Sequence, residues 1–146
     1  MLSGRESGAA VSVQQERKAR YVLLTKMRRK TARAMRAAVR RQLGIFPPEL
    51  CRTLTLDRGT ENAEHETFGL PVYFCDPYSS WQKGSVEQVI GLVRRYIPKG
   101  TDLRTVSSKQ LQSIQDRLNN RPRKVLGFQT PYEVFSSHCK RLGVRI

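Results

Sequence analysis

Two carboxylates stand where metal-dependent chemistry could be done. Asp57 closes the alternating run Arg52-Thr53-Leu54-Thr55-Leu56 and is followed by Arg58-Gly59, the pattern of a strand running out into a turn. Glu87 falls in the first turn of a segment whose apolar residues Val86, Val89, Ile90, Val93 and Ile97 recur at helical spacing. A strand end and a helix start could bring two acids together at one sheet edge, and hard cations such as Mg²⁺ prefer such oxygen donors. Glu87 and Arg94 are seven positions apart, so at about 100° per residue they lie within about 20° of each other on the polar face. One meaning of that face is a metal-holding carboxylate beside an arginine that meets a phosphate backbone. The other is solvated surface charge, which is what most isolated acids are.

Other chemistries have less support. Cys51, Cys75 and Cys139 are odd in number and form no CxxC, so they are expected to be reduced thiols inside the cell. His65 and His138 stand alone, without the ligand spacing of a zinc site. No apolar run approaches the roughly 18 residues of a membrane span, and the first residues lack a signal-peptide core. A cytoplasmic location and no membrane partner are therefore expected. Lys and Arg number 27 against 12 Asp and Glu, a net charge of +15 over 146 residues. Such an imbalance speaks to polyanionic partners, nucleic acid first, although a merely well-solvated basic protein has the same composition.

The elements that must position these residues alternate between strand and helix. Residues 9–13 and 21–25 are β-branched, apolar runs and read as two strands joined by a turn. Thr31 is placed to cap a helix running to Leu43, with Met35, Ala38, Val39 and Gln42-Leu43 at helical spacing and Gly44 closing it. Its outer stripe, Arg33, Arg36 and Arg40, is an expected solvated surface that could also meet DNA. Pro47-Pro48 marks a loop before the strand that ends at Asp57. A short acidic helix over residues 61–68 is expected next, then a strand over 72–75 that stops at Asp76-Pro77. After the loop of residues 78–84, Ser85 is expected to cap the Glu87 helix. Ser107 and Gln110 form a capping box, with Val106 and Leu111 as its hydrophobic staple and Leu111, Ile114 and Leu118 facing inward. Residues 121–131 are an extended basic segment, and Tyr132 to Phe135 a last helical turn. The class is α/β with a mixed sheet.

Longer stretches carry a resemblance. Residues 53–61 (Thr-Leu-Thr-Leu-Asp-Arg-Gly-Thr-Glu) and 71–85 (Pro-Val-Tyr-Phe-Cys-Asp-Pro-Tyr-Ser-Ser-Trp-Gln-Lys-Gly-Ser) closely resemble transposases of the IS-thirty insertion-sequence family. So do Glu16-Arg17-Lys18 with Arg20-Tyr21-Val22, Pro98-Lys99-Gly100-Thr101-Asp102-Leu103, and residues 118–128 with Thr130-Pro131. The resemblance implies a ribonuclease-H-like (integrase) core, a mixed sheet flanked by helices. It implies an Asp, Asp, Glu triad binding two Mg²⁺ (or Mn²⁺) ions, in which Asp57 matches the second Asp and Glu87 the Glu. Two metals about 4 Å apart can activate an attacking oxygen and stabilise the leaving one in phosphoryl transfer. The implied partners are DNA, both transposon ends and target, with self-association left open. Lys83, Arg94, Arg95, Arg121, Arg123 and Lys124 are the candidate DNA contacts. Residues 1–105 would be a partial catalytic core and 106–146 a helix and basic extension of the same domain.

The sequence also departs from that pattern. The family's first Asp stands on the strand before the one ending near Glu16, at a distance that falls just ahead of Met1, and no Asp precedes Asp57. Most of that central strand is therefore expected to be missing, with the protein truncated at its amino end. Glu6 and Glu16 are poorly placed as substitutes. Asp57 and Glu87 are 30 positions apart, shorter than the family's usual spacing by about one helical turn. Asn62 stands where the family has an apolar aromatic, and Val86 where it has an asparagine beside the Glu. The family's amino-terminal helix-turn-helix region is expected to be absent as well. Two expectations follow: a transposase core inactive for want of a third ligand, leaving a basic DNA-binding remnant, or an active enzyme if the true start lies upstream. An unrelated RNA-binding protein is disfavoured because Tyr73 and Phe74 form no stacking motif. Trp81 could plug the core or stack on DNA, with packing the expected role.

Overall fold

Alternating apolar residues put Leu2–Ser3 (β1), Ala10–Gln15 (β2) and Val22–Met27 (β3) into one antiparallel sheet in the order β1-β2-β3. The computed structural model describes residues 1–3, 8–57, 59–76 and 84–144. β2 is buried along almost its whole length because both of its faces are covered. Val11 and Val13 face one core cluster, and Ala10 belongs to the other. The register pairs Ala10 with Met27 and Gln15 with Val22. At the turn between them Arg20 adopts φ +60°, and the Glu16 carboxylate accepts from the Lys18 and Ala19 amides.

Ala32–Leu43 (α1) starts where its sequence signals say. Thr31 accepts from the Ala34 amide at 3.2 Å, and the Gly44 amide donates to the Arg40 carbonyl. Met35, Ala38, Val39 and Gln42 are its buried residues. The first three pack with Ala10 and Met27 on one side and with Leu56 and Phe68 on the other. Leu54–Leu56 (β4) and Val72–Phe74 (β5) pair in parallel, Leu54 opposite Val72 and Leu56 opposite Phe74. The expected mixed pattern is thus present in two pieces, an antiparallel sheet and a parallel one, and α1 packs against both. The acidic helix expected between β4 and β5 is instead two 3₁₀ turns, Thr60–Asn62 and His65–Phe68. Ala63 and Glu64 separate them, and Gly69 closes the second at φ +82°.

Gly84–Val93 (α2) lays Val89 and Val93, with Ile97 just beyond, against the Val11 and Val13 face of β2. Ser85 lies inside this helix rather than capping it, because helical backbone already begins at Gly84. Ser108–Asn119 (α3) has the expected capping box with Gln110, and Leu111, Ile114 and Leu118 are buried in the same cluster as Val106. Two buried amides on α3 were not expected. Asn119 accepts from the Val22 amide at 2.8 Å and donates to the Val22 carbonyl at 2.9 Å, and Gln115 accepts from the Leu24 amide at 2.8 Å. These bonds satisfy the Val22 amide and carbonyl and the Leu24 amide on the edge of β3 away from β2, beside which no further strand pairs among the described residues. Lys26 adds bonds to the Arg104 and Val106 carbonyls.

Pro131–Arg141 (α4) is much longer than the single turn expected over residues 132–135. Thr130 and Glu133 form a second capping box, and Pro131 presets the first helical residue. Phe135 and Cys139, one turn apart, give the helix a buried face against Ala19, with Tyr21 stacked on Phe135 at 4.5 Å. Among the described residues no helix is long and apolar enough to cross a membrane.

Candidate metal and nucleic-acid site

β4 delivers Asp57 at its carboxyl end, exposed, one residue beyond the buried Leu56. The carboxylate is held locally. Asn62, 2% exposed, donates its side-chain amide to the Asp57 carbonyl at 2.9 Å and to Asp57 Oδ1 at 3.0 Å. Both partners only accept, so the amide nitrogen must face Asp57. Asn62 Oδ1 is consequently buried without a partner among the described residues. The Asn62 carbonyl meets His65 Nδ1 at 3.1 Å, and the His65 ring packs edge-on to Phe74 of β5 at 4.7 Å. The polar residue that departs from the family pattern is therefore a clamp on the candidate ligand. Sequence reasoning marked Asn62 as an oddity but not as this clamp, since the contact depends on the 3₁₀ turn.

Glu87 lies exposed in the first turn of α2. An acid there is favoured by the helix dipole and remains available to a cation. Arg94, just past the helix, is half-buried and reaches the Pro98 carbonyl at 3.5 Å, while Arg95 is exposed. Lys83 and Trp81 lie outside the described residues. Of the α1 stripe, Arg36 pairs with Glu64 at 2.9 Å, while Arg33 and Arg40 are exposed.

Oxygen donors such as Asp57 and Glu87 suit Mg²⁺, which is commonly held by one or two carboxylates together with phosphate oxygens. A two-ion site needs more. Among the described residues no group of three or more His, Cys, Asp or Glu is placed to hold a metal ion. The described residues thus fit the chemistry of Mg²⁺, and among them no cluster large enough for a pair of ions is present.

The remaining candidate cations gather after α3. Arg121 and Lys124 are exposed and Arg123 is half-buried. Burial, and then the neighbouring Arg121 charge, pull the Arg123 guanidinium below its usual value. Its Nε and Nη2 are buried with no hydrogen-bond partner among the described residues. Two guanidiniums close enough to repel, with no carboxylate between them in sequence, make a place where an added anion would be favoured.

The described architecture is that of an integrase catalytic core. It superposes on the catalytic core domain of BIV integrase with a TM-score of 0.65, covering 91% of this chain and 90% of that one at 19% identity. No family model matches the chain. The sequence is 43% identical over 140 residues to the transposase of insertion sequence element IS1086 from Cupriavidus metallidurans, covering 93% of this chain and 41% of that protein. It is 42% identical over 123 residues to transposase InsI of element IS30A from Escherichia coli, covering 82% of this chain and 32% of that one. It is 49% identical over 90 residues to the transposase of element IS4351 from Bacteroides fragilis, covering 59% of this chain and 28% of that one. The chain belongs to the IS-thirty (IS30) family of insertion-sequence transposases. It spans less than half the length of each of these relatives.

Proposed function

We propose that this chain is core machinery for DNA transposition, the part of a transposase that engages DNA and holds the metal-binding carboxylates. The observation that carries the proposal is 43% identity over 93% of the chain to a transposase, joined to an integrase-core fold. Asp57 and Glu87 are the proposed metal ligands and catalytic carboxylates. When bound, Mg²⁺ or Mn²⁺ supplies Lewis acidity to the phosphoryl group. Asn62 fixes the direction of the Asp57 carboxylate, and Val86 beside Glu87 lends that acid no hydrogen bond from its side chain. Lys83, Arg94, Arg95, Arg121, Arg123 and Lys124 are proposed to meet the phosphates of transposon ends and target, in the cytoplasm.

We further propose that these 146 residues on their own bind DNA without cutting it, because among the described residues no third acidic side chain is grouped with Asp57 and Glu87. A duplex of mixed sequence, followed by fluorescence anisotropy, should bind with an affinity that falls steeply between about 50 and about 200 mM salt, through counterion release. Supercoiled DNA with Mn²⁺ should stay intact. Adding an extended segment bearing one Asp ahead of Leu2 should confer nicking that Asp57→Asn or Glu87→Gln abolishes. Salt-insensitive binding would exclude the phosphate contacts, and nicking indifferent to both substitutions would exclude the assigned ligands.

A further inference from the structure

Residues 121–128 form a rigid basic knuckle with apolar side chains turned to water. Five backbone bonds stitch it together: Arg123 N to Gln129 O, Leu126 N and Phe128 N to Arg123 O, Gly127 N to Lys124 O, and Gln129 N to Leu126 O, all between 2.9 and 3.2 Å. Lys124–Leu126 is a 3₁₀ turn, and Gly127 and Phe128 both follow in the left-handed region. For Gly127 that conformation costs little, but for Phe128 at φ +66° it is strained. A strained backbone held by a ring of internal bonds ordinarily marks a site of use rather than of packing. Phe128 is 71% exposed and Val125 68% exposed, so neither contributes much to the core.

The charges around this apolar tip select its partner. Arg121, Arg123 and Lys124 belong to the knuckle, and no acidic residue occurs between Asp116 and Glu133. A second copy would bring the same cations to the same place, against a net charge of +15 on each chain. A polyanion with flat apolar faces fits instead, and a nucleic-acid strand presents both phosphates and bases.

We propose that Phe128 stacks on a base of the bound DNA strand, with Val125 alongside, while Arg121 and Lys124 hold the flanking phosphates. This rests on the DNA reading above and adds to it a contact that is not electrostatic. Counterion release comes from the cations, whereas stacking comes from the ring, so the two are separable by salt.

The test uses the full chain and a duplex with a single-stranded overhang carrying 2-aminopurine, whose fluorescence reports stacking. Phe128→Ala should weaken binding about tenfold at fixed salt, within the range for loss of one base–aromatic stack, and leave the salt slope unchanged. It should also abolish the 2-aminopurine signal, and Phe128→Tyr should restore both. Arg121→Ala and Lys124→Ala should each lower the salt slope by about 1 and leave the 2-aminopurine signal at saturation intact. Circular dichroism and the melting temperature of Phe128→Ala should match the parent, since the ring is exposed. A parent that binds DNA with salt dependence and a Phe128→Ala variant indistinguishable from it would overturn the stacking proposal alone. A parent that does not bind DNA would overturn the DNA reading and this one together. Loss of binding to anionic lipid vesicles, or of self-association in sedimentation, with DNA binding intact, would assign the tip to those partners and overturn it.

Discussion

The two outer strands of the three-stranded sheet meet their surroundings in opposite ways. Along β3, side chains of α3 take the place of a neighbouring strand, with Asn119 bonding both backbone groups of Val22 and Gln115 taking the Leu24 amide. At β1, among the described residues, Leu2 and Ser3 pair with β2, and β4 and β5 form a separate sheet. Among the described residues, Met35, Ala38 and Val39 of α1 pack against both sheets, and Arg36 of α1 also pairs with Glu64. Buried backbone satisfied by a fixed partner is costly to expose, whereas apolar contact alone tolerates small shifts. Stability is therefore expected to concentrate on the α3 side, and the candidate metal ligand Asp57 sits on the other side, held by Asn62. Hydrogen exchange should show the difference as slow Val22 and Leu24 amides against faster ones in β4.

Substitutions sharpen or break this contrast. Leu118, 1% exposed in the α3 cluster, should lose about 3 kcal/mol on conversion to Ala, read by urea denaturation. Asn119→Ala leaves the buried Val22 amide and carbonyl unpaired and should cost about 2 kcal/mol in the same assay. A cost near zero would mean that the β3 edge is not held as described. On the other side, Asn62→Leu should leave stability nearly unchanged, since it removes an orphaned acceptor along with its bonds. The same change should weaken Mn²⁺ binding about tenfold, measured by the free-ion signal in electron paramagnetic resonance, because the carboxylate loses its support. The smallest effect is expected of Arg36→Ala. Its pair with Glu64 is more than a third exposed on the acid, so stability should move by no more than about 0.5 kcal/mol.

The same contrast explains what was legible in the sequence. Caps are local, and Thr31 at α1 and Ser107 with Gln110 at α3 could be read directly because the signal and the structure lie within four residues. The β2 and β3 strands were likewise visible as apolar runs. Long-range satisfaction was not, for Asn119 and Gln115 look like helix-surface amides until β3 is placed beside them. Two 3₁₀ turns stand where a helix was expected, with Asn62 turned inward to bond Asp57, a contact the local sequence does not announce. α4 was underestimated although Thr130, Pro131 and Glu133 announce its start, because beyond its first turn Phe135 and Cys139 are its buried residues. Of the candidate site, Asp57 and Glu87 were singled out by pattern and resemblance and stand as proposed ligands, and the Asn62 clamp required the fold.

Metal stoichiometry is the most direct measurement of the central claim that two carboxylates do not make a two-ion site. Titrating Mn²⁺ into the purified chain and counting bound ions should give at most one weakly held ion, lost in Asp57→Asn. Two tightly bound ions per chain, retained without any added acidic segment, would contradict it.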